Sequence, residues 1–285
     1  MKKTFIIMVL LLLVQPVTAQ EKTEEQVNTG QDFLKPLTRF DIRQQFKQNS
    51  GDTDTYITTF RFDKPFLLDG GKSGILSTRL DIPLVASDAV GNDNPNGDTY
   101  EFGIGDLLTQ FAYIFPKDKA NEIGFGIDGF GFGAQLIWPT ASKSILGGEK
   151  YLVAPLVGAK WDTPKISKGS WFTPVFRYFL DYADHGAGKN RDDVSELAIQ
   201  PQVYINTKEW NWPVDFVHFW GGKDIRINFE DGKTKDSGDM FIPFDVLIGK
   251  MINKNTVVSL EFATPLINDY DLYDWMIEFR IGFFF

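Results

Sequence analysis

Along most of the chain, large apolar residues take every second position and polar or charged residues take the positions between them. Successive side chains of a strand point to opposite faces, so a period of two predicts strands with one apolar and one polar face. In 37–47, Phe40, Ile42 and Phe46 share one face, while Arg39, Asp41, Arg43 and Gln45 share the other. In 73–85, Leu76, Leu80, Ile82 and Leu84 oppose Ser77, Arg79 and Asp81. In 194–206, Leu197, Ile199, Val203 and Ile205 oppose Glu196, Gln200, Gln202 and Asn206. Twelve such segments are bounded by turn residues, near 37–47, 55–66, 73–85, 99–115, 122–138, 151–162, 171–183, 194–206, 214–230, 241–252, 256–264 and 274–285. One alternating strand would suit a soluble sandwich equally well. Their repetition, with mostly alternating long and short connections, predicts an all-β fold: one antiparallel transmembrane β-barrel of about twelve strands over 37–285.

Two places break the parity, Ile104-Gly105-Asp106-Leu107 and Ile127-Asp128-Gly129-Phe130, and both contain glycine. A β-bulge inserts one residue and switches faces, so a bulge is expected at each. Pro155, Pro174, Pro201 and Pro243 fall inside strand segments, on what is read as the lipid-facing parity. Proline removes a ladder donor, so bulges or kinks are expected there too. Gly129-Phe130-Gly131-Phe132-Gly133 fits a strand that bends tightly.

The ends sharpen the picture. Trp275, Ile277, Phe279, Ile281, Phe283 and Phe285 line one face of the last segment, opposite Glu278 and Arg280. Ending on an aromatic residue, this stretch resembles the closing strand of a bacterial outer-membrane barrel. Phe279, Ile281, Phe283 and Phe285 resemble the signal read by the barrel-assembly machinery. At the other end, Lys2 and Lys3 precede an apolar run from Phe5 to Val14, and Val17-Thr18-Ala19 offers small residues for cleavage. That order is the order of a secretory signal peptide, expected over 1–19, and the run is too short to span a bilayer as a helix. Residues 20–36 are polar and are expected to form a loose periplasmic arm, with no room for a passenger domain.

Charge and composition narrow the chemistry. Without residues 1–19, 27 basic residues face 38 acidic ones, a net charge of −11. That balance argues against a nucleic-acid partner, whose phosphates demand a basic groove. The absence of cysteine removes disulfides, thiol catalysis and thiolate metal sites. Of the two histidines, His185 lies in a Gly-rich loop and His218 in Val217-His218-Phe219-Trp220, with no serine placed as a nucleophile. A lipid-acting barrel enzyme is therefore a weaker reading, no cofactor or metal is expected, and His218 is read as a lumen-lining residue.

What remains is the inward face. The candidates for lining a lumen are Arg79, Asp81, Arg177, Asp181, His218, Asp224, Arg226, Asp245 and Glu261. The charged ones are expected well within strands. Arg39, Asp41, Arg43, Arg61, Asp63, Lys160, Asp162, Glu196, Glu278 and Arg280 fall on the same face by parity. Barrels of about eight strands are filled by side chains and those of 16–18 hold an aqueous channel. Twelve strands therefore leave two readings open: a narrow selective pore, or an ion-paired plug.

Gly103-Ile104-Gly105-Asp106-Leu107, followed by Gln110 and Tyr113, resembles one family's Gly-x-Gly-Asp strand. Leu136-Ile137-Trp138-Pro139-Thr140, then Leu146-Gly147-Gly148, Tyr151, Pro155-Leu156-Val157 and Trp161, resembles the same family's next section. The family is the MetA-pathway of phenol degradation group of outer-membrane transporters, and Ala141 stands where its members usually carry glycine. The resemblance implies passive uptake of a small, often aromatic or hydrophobic solute across the outer membrane of a Gram-negative cell. The alternative is a non-transporting structural or surface-interaction barrel.

Overall fold

The structure, a computed structural model, describes residues 28–49, 52–90, 94, 96–97, 99–186, 188 and 191–285. The expected signal peptide and residues 20–27 lie outside the described residues. Twelve strands follow one another: β1 (Arg39–Asn49), β2 (Thr53–Leu67), β3 (Ile75–Ser87), β4 in two halves (Glu101–Ile104 and Leu107–Ile114), β5 (Gly129–Trp138) and β6 (Lys150–Asp162). The rest are β7 (Trp171–Asp184), β8 (Ser195–Asn206), β9 in two halves (Phe216–Phe219 and Ile225–Asn228), β10 (Met240–Asn253), β11 (Thr256–Asn268) and β12 (Trp275–Phe284). Each pairs antiparallel with its sequence neighbours. β1 pairs with β12 from Arg39↔Phe284 to Gln48↔Trp275, which closes the sheet and removes its edges.

The alternation becomes an inside and an outside. Along β12, Met276, Glu278, Arg280 and Phe284 are buried in the interior, while Phe279 is exposed on the outer surface. Phe62, Phe111, Phe132, Phe176, Phe244 and Phe262 continue that outer apolar surface around the barrel. Most of the polar face looks inward, where only pairing can compensate desolvation.

Breaks in the pattern have distinct causes. At Gly105-Asp106 the expected bulge is present: Leu84 faces Ile104 but Asp81 faces Leu108, a slip of one residue. The second expected bulge is absent, because β5 starts only at Gly129 and 122–128 holds the end of a short helix, α1 (Lys117–Glu122), and a turn. Nor do most prolines make bulges. Pro174 faces Pro201 in unbroken register. The β6–β7 ladder lacks pairs beside Pro155 and Pro174 but resumes unshifted. Missing donors therefore interrupt hydrogen bonds without displacing the strand. Pro243 does sit at a register shift, yet it is buried on the same face as Asp245 rather than facing outward.

Two of the glycines in Gly129–Gly133 make room for packing. Gly129 and Gly131 face inward, and a Cβ on Gly131 would lie 2.9 Å from Leu34 Cδ2. Leu34 belongs to the expected arm. Over residues 28–36 that arm is held inside the barrel rather than loose. Leu34 is buried, Lys160 Nζ binds the Asp32 carboxylate at 2.5 Å, Arg39 donates to the Gly30 carbonyl at 2.6 Å, and Thr29 donates to the Tyr204 hydroxyl at 3.1 Å.

Candidate functional site

Three layers of side chains line the interior. At the end that carries the arm, Trp171, Tyr204, Phe216, Leu247, Val257 and Phe284 form an apolar pack. At the opposite end Phe241, Tyr270, Tyr273 and Met276 form another against the β10–β12 wall. Between them lies a belt of ionised side chains around a cavity of about 200 Å³.

The belt is dense because β1, β2, β3 and β12 each bring charges to one level. Asp63 accepts from Arg39 at 2.6 Å and from Arg79 at 2.7 Å. Asp81 takes both Nε and Nη2 of Arg61, at 2.7 and 2.5 Å. Asp41 holds Arg43 at 2.9 Å, and Arg280 pairs with Glu261 and Glu278. Such two-point guanidinium–carboxylate contacts fix orientation as well as charge.

The broken strand β9 completes the cavity. Val203 faces Phe219 and Ile199 faces Ile225, so three residues of β8 oppose the five residues 220–224. The surplus folds inward. Asp245 anchors it by accepting the backbone N–H groups of Gly222 and Lys223 at 3.0 and 2.9 Å. The fold delivers Lys223 to Glu261 at 3.6 Å and Asp224 to Arg177 at 3.1 Å.

Among the sequence-predicted residues, Arg79, Arg177 and Asp224 line the cavity. Asp224 does so from the loop that splits β9, not from within a strand. Asp81, Asp245 and Glu261 stand behind the lining, held by Arg61, by backbone N–H groups and by Arg280. His218 lies deeper, fully buried and edge-on to Trp171 and Tyr204, with ring centroids 5.2 and 5.7 Å away. Arg226 pairs with Glu196 at 3.0 Å outside the cavity lining. Asp181 binds Lys150 at 2.6 Å at the far end, where Asp184 and Asp193 share the same ammonium.

Residues passed over as candidates also line the cavity: Arg39, Arg43, Arg61, Asp63 and Arg280, with Gln110, Gln135, Gln200 and Gln202. Parity had already put the five charged ones inside. Gly30, Gln31, Asp32 and Phe33 of the arm form its floor, which no strand pattern could reveal.

No family profile matches the chain, and no curated protein matches it. Solved structures do. The COG4313 outer membrane channel from Pseudomonas putida F1 superposes with a TM-score of 0.61 at 13% identity, covering 87% of this chain and 95% of that one. The KdgM porin gives a TM-score of 0.49 at 8% identity, covering 87% and 99%. Outer membrane phospholipase A from Escherichia coli gives 0.46 at 9% identity, covering 87% and 92%. At these identities the likeness concerns the fold.

Proposed function

We propose that this chain is a passive outer-membrane channel or transporter for a small solute. The observation that carries the reading is the central cavity: the ionic belt surrounds open volume instead of filling the barrel. The apolar outer surface suits a lipid bilayer, the terminal strand suits delivery by the barrel-assembly machinery, and the leader suits export in a Gram-negative cell. The sequence motifs support membership of the MetA-pathway group, and the P. putida channel has the same kind of barrel. That group implies aromatic or hydrophobic cargo. The lining of guanidinium and carboxamide groups favours a solute with a polar or charged head. Residues 28–36 floor the cavity, so passage requires that segment to move aside. A second reading, a closed structural barrel, is favoured by the same seated arm and by the close pairing of Asp41, Asp63 and Asp81. Solute flux into proteoliposomes tests the proposal. Uptake of small solutes above protein-free vesicles is expected, and permeability equal to that of empty vesicles would leave only the structural reading.

A further inference from the structure

The charges around the cavity are not distributed evenly. Six guanidinium groups line it, those of Arg39, Arg43, Arg61, Arg79, Arg177 and Arg280, against only three carboxylates, Asp32, Asp63 and Asp224. The other acids of the belt, Asp41, Asp81, Glu261 and Glu278, are buried outside the lining, at 3, 6, 0 and 5% exposure. In a chain whose overall charge is negative, the space at its centre therefore faces cations. At short range and away from bulk solvent, the nearer layer of charge dominates the local field.

Two of those guanidiniums hold a buried Nε that has no hydrogen-bond partner. Arg61 is occupied at two points by Asp81, and Arg39 by Asp63 and the Gly30 carbonyl. Arg43 spends Nη2 on Asp41, while its buried Nε has no hydrogen-bond partner. Arg177 gives Nη1 to Asp224 and Nη2 to Gln200 at 3.3 Å, and its buried Nε is likewise without a partner. The Oε1 of Gln110 is also unpartnered, and rotating that amide by half a turn would present its NH2 instead. Buried donors without acceptors are uncommon and costly, and turning the Arg43 and Arg177 forks toward an anion in the cavity they line would give these covered donors a partner.

We infer that the central cavity is a binding site for a small organic oxyanion, recognised by Arg43 and Arg177. The guanidinium fork matches the planar geometry of a carboxylate and also accepts a phosphate. As the selectivity site of the proposed channel, this assignment rests on that reading, yet binding is measurable whether or not current flows.

Isothermal titration of the folded, detergent-solubilised protein with butyrate, inorganic phosphate and butyramide separates charge from shape. Saturable binding of butyrate, and none of the neutral butyramide, is expected. Phosphate binding beside butyrate would assign the site to oxyanions generally, and binding of butyrate alone would assign it to carboxylates. Arg177→Gln and Arg43→Gln should each weaken butyrate by roughly tenfold or more, the loss of one charged hydrogen bond. Heat-modifiable migration verifies folding of each variant, and the comparison of butyrate with butyramide needs no variant at all. Equal binding of butyramide and butyrate, or binding of neither anion, would overturn the assignment. Butyrate binding in a barrel that passes no solute would keep the site and remove the channel. Solute flux without anion binding would do the reverse.

Discussion

Glu261 and Phe262 are neighbours in sequence and opposites in environment. The carboxylate is wholly buried in the ionic belt, whereas the ring is 41% exposed at the middle of β11. If the outer surface meets hydrocarbon, Phe262→Arg should cost roughly 2–4 kcal/mol relative to Phe262→Leu, the range for a cation near the bilayer midplane. Urea unfolding in lipid vesicles measures it, and equal midpoints would place that face in water. Charged groups in the loops are governed by local hydrogen bonds instead. The Thr234 hydroxyl and the backbone N–H groups of Lys233 and Thr234 all donate to Asp192, at 2.6, 2.6 and 2.7 Å. They hold its carboxyl down at about 2. A depressed carboxylate stabilises the fold above its unfolded value, about 3.9. That contribution fades as pH falls toward the folded value. The clamp between the loops after β7 and β9 should therefore stay closed at neutral pH and open only in strong acid. A carboxyl chemical-shift titration of Asp192 in micelles checks this, and Thr234→Val should raise the midpoint.

At the scale of elements, the two motif sections meet in space. The slip in β4 turns the Asp106 carboxylate toward the loop between β5 and β6, where it accepts from Ala141 N at 3.1 Å and Gly148 N at 2.5 Å. Thr140 Oγ1 accepts from Leu107 N at 3.0 Å, which ties the same loop to the second half of β4. Residues some forty positions apart thus form one clasp, and Gly147 is needed because a Cβ there would lie 2.5 Å from Asp106 Oδ1. Asp106→Ala should free the 139–149 loop and cost about 1 kcal/mol, the net worth of hydrogen bonds whose donors are part-buried or exposed. Hydrogen exchange at Ala141 and Gly148 is the direct measurement, and unchanged protection would refute the clasp. These elements also mark what the sequence could convey. Strand identity and facing were legible because a period of two survives along most strands. The bulge at Gly105 was legible as a parity switch. The inward fold of 220–224 was not, since its two surplus residues restore the parity on leaving. Proline positions misled because an interrupted hydrogen bond does not imply a slipped strand, as Pro174 opposite Pro201 demonstrates.

For the whole molecule, the barrel acts as a frame and its content decides whether anything can pass. Twelve strands leave an interior too wide for one layer of side chains and too narrow to stay open unaided. Here the difference is taken up by an ionic belt and a length of the chain's own arm. The inward face could be read from parity, which placed Arg39, Arg43, Arg61, Asp63 and Arg280 correctly. Which of these charges would line space, and which would be locked behind it, depended on distances between strands far apart in sequence. The arm was opaque for a different reason: its partners are glycines on β5 and β6, whose vacancy in the pattern signals room but not its occupant. Leu34 lies against Gly129 and Gly131, and Phe33 against Gly158. Current through single barrels in planar bilayers, intact and with residues 28–36 deleted, tests the channel with its internal floor most directly. The account predicts folded barrels of both kinds, with a larger and more persistent conductance once 28–36 is gone. Two folded barrels that are equally silent would contradict it.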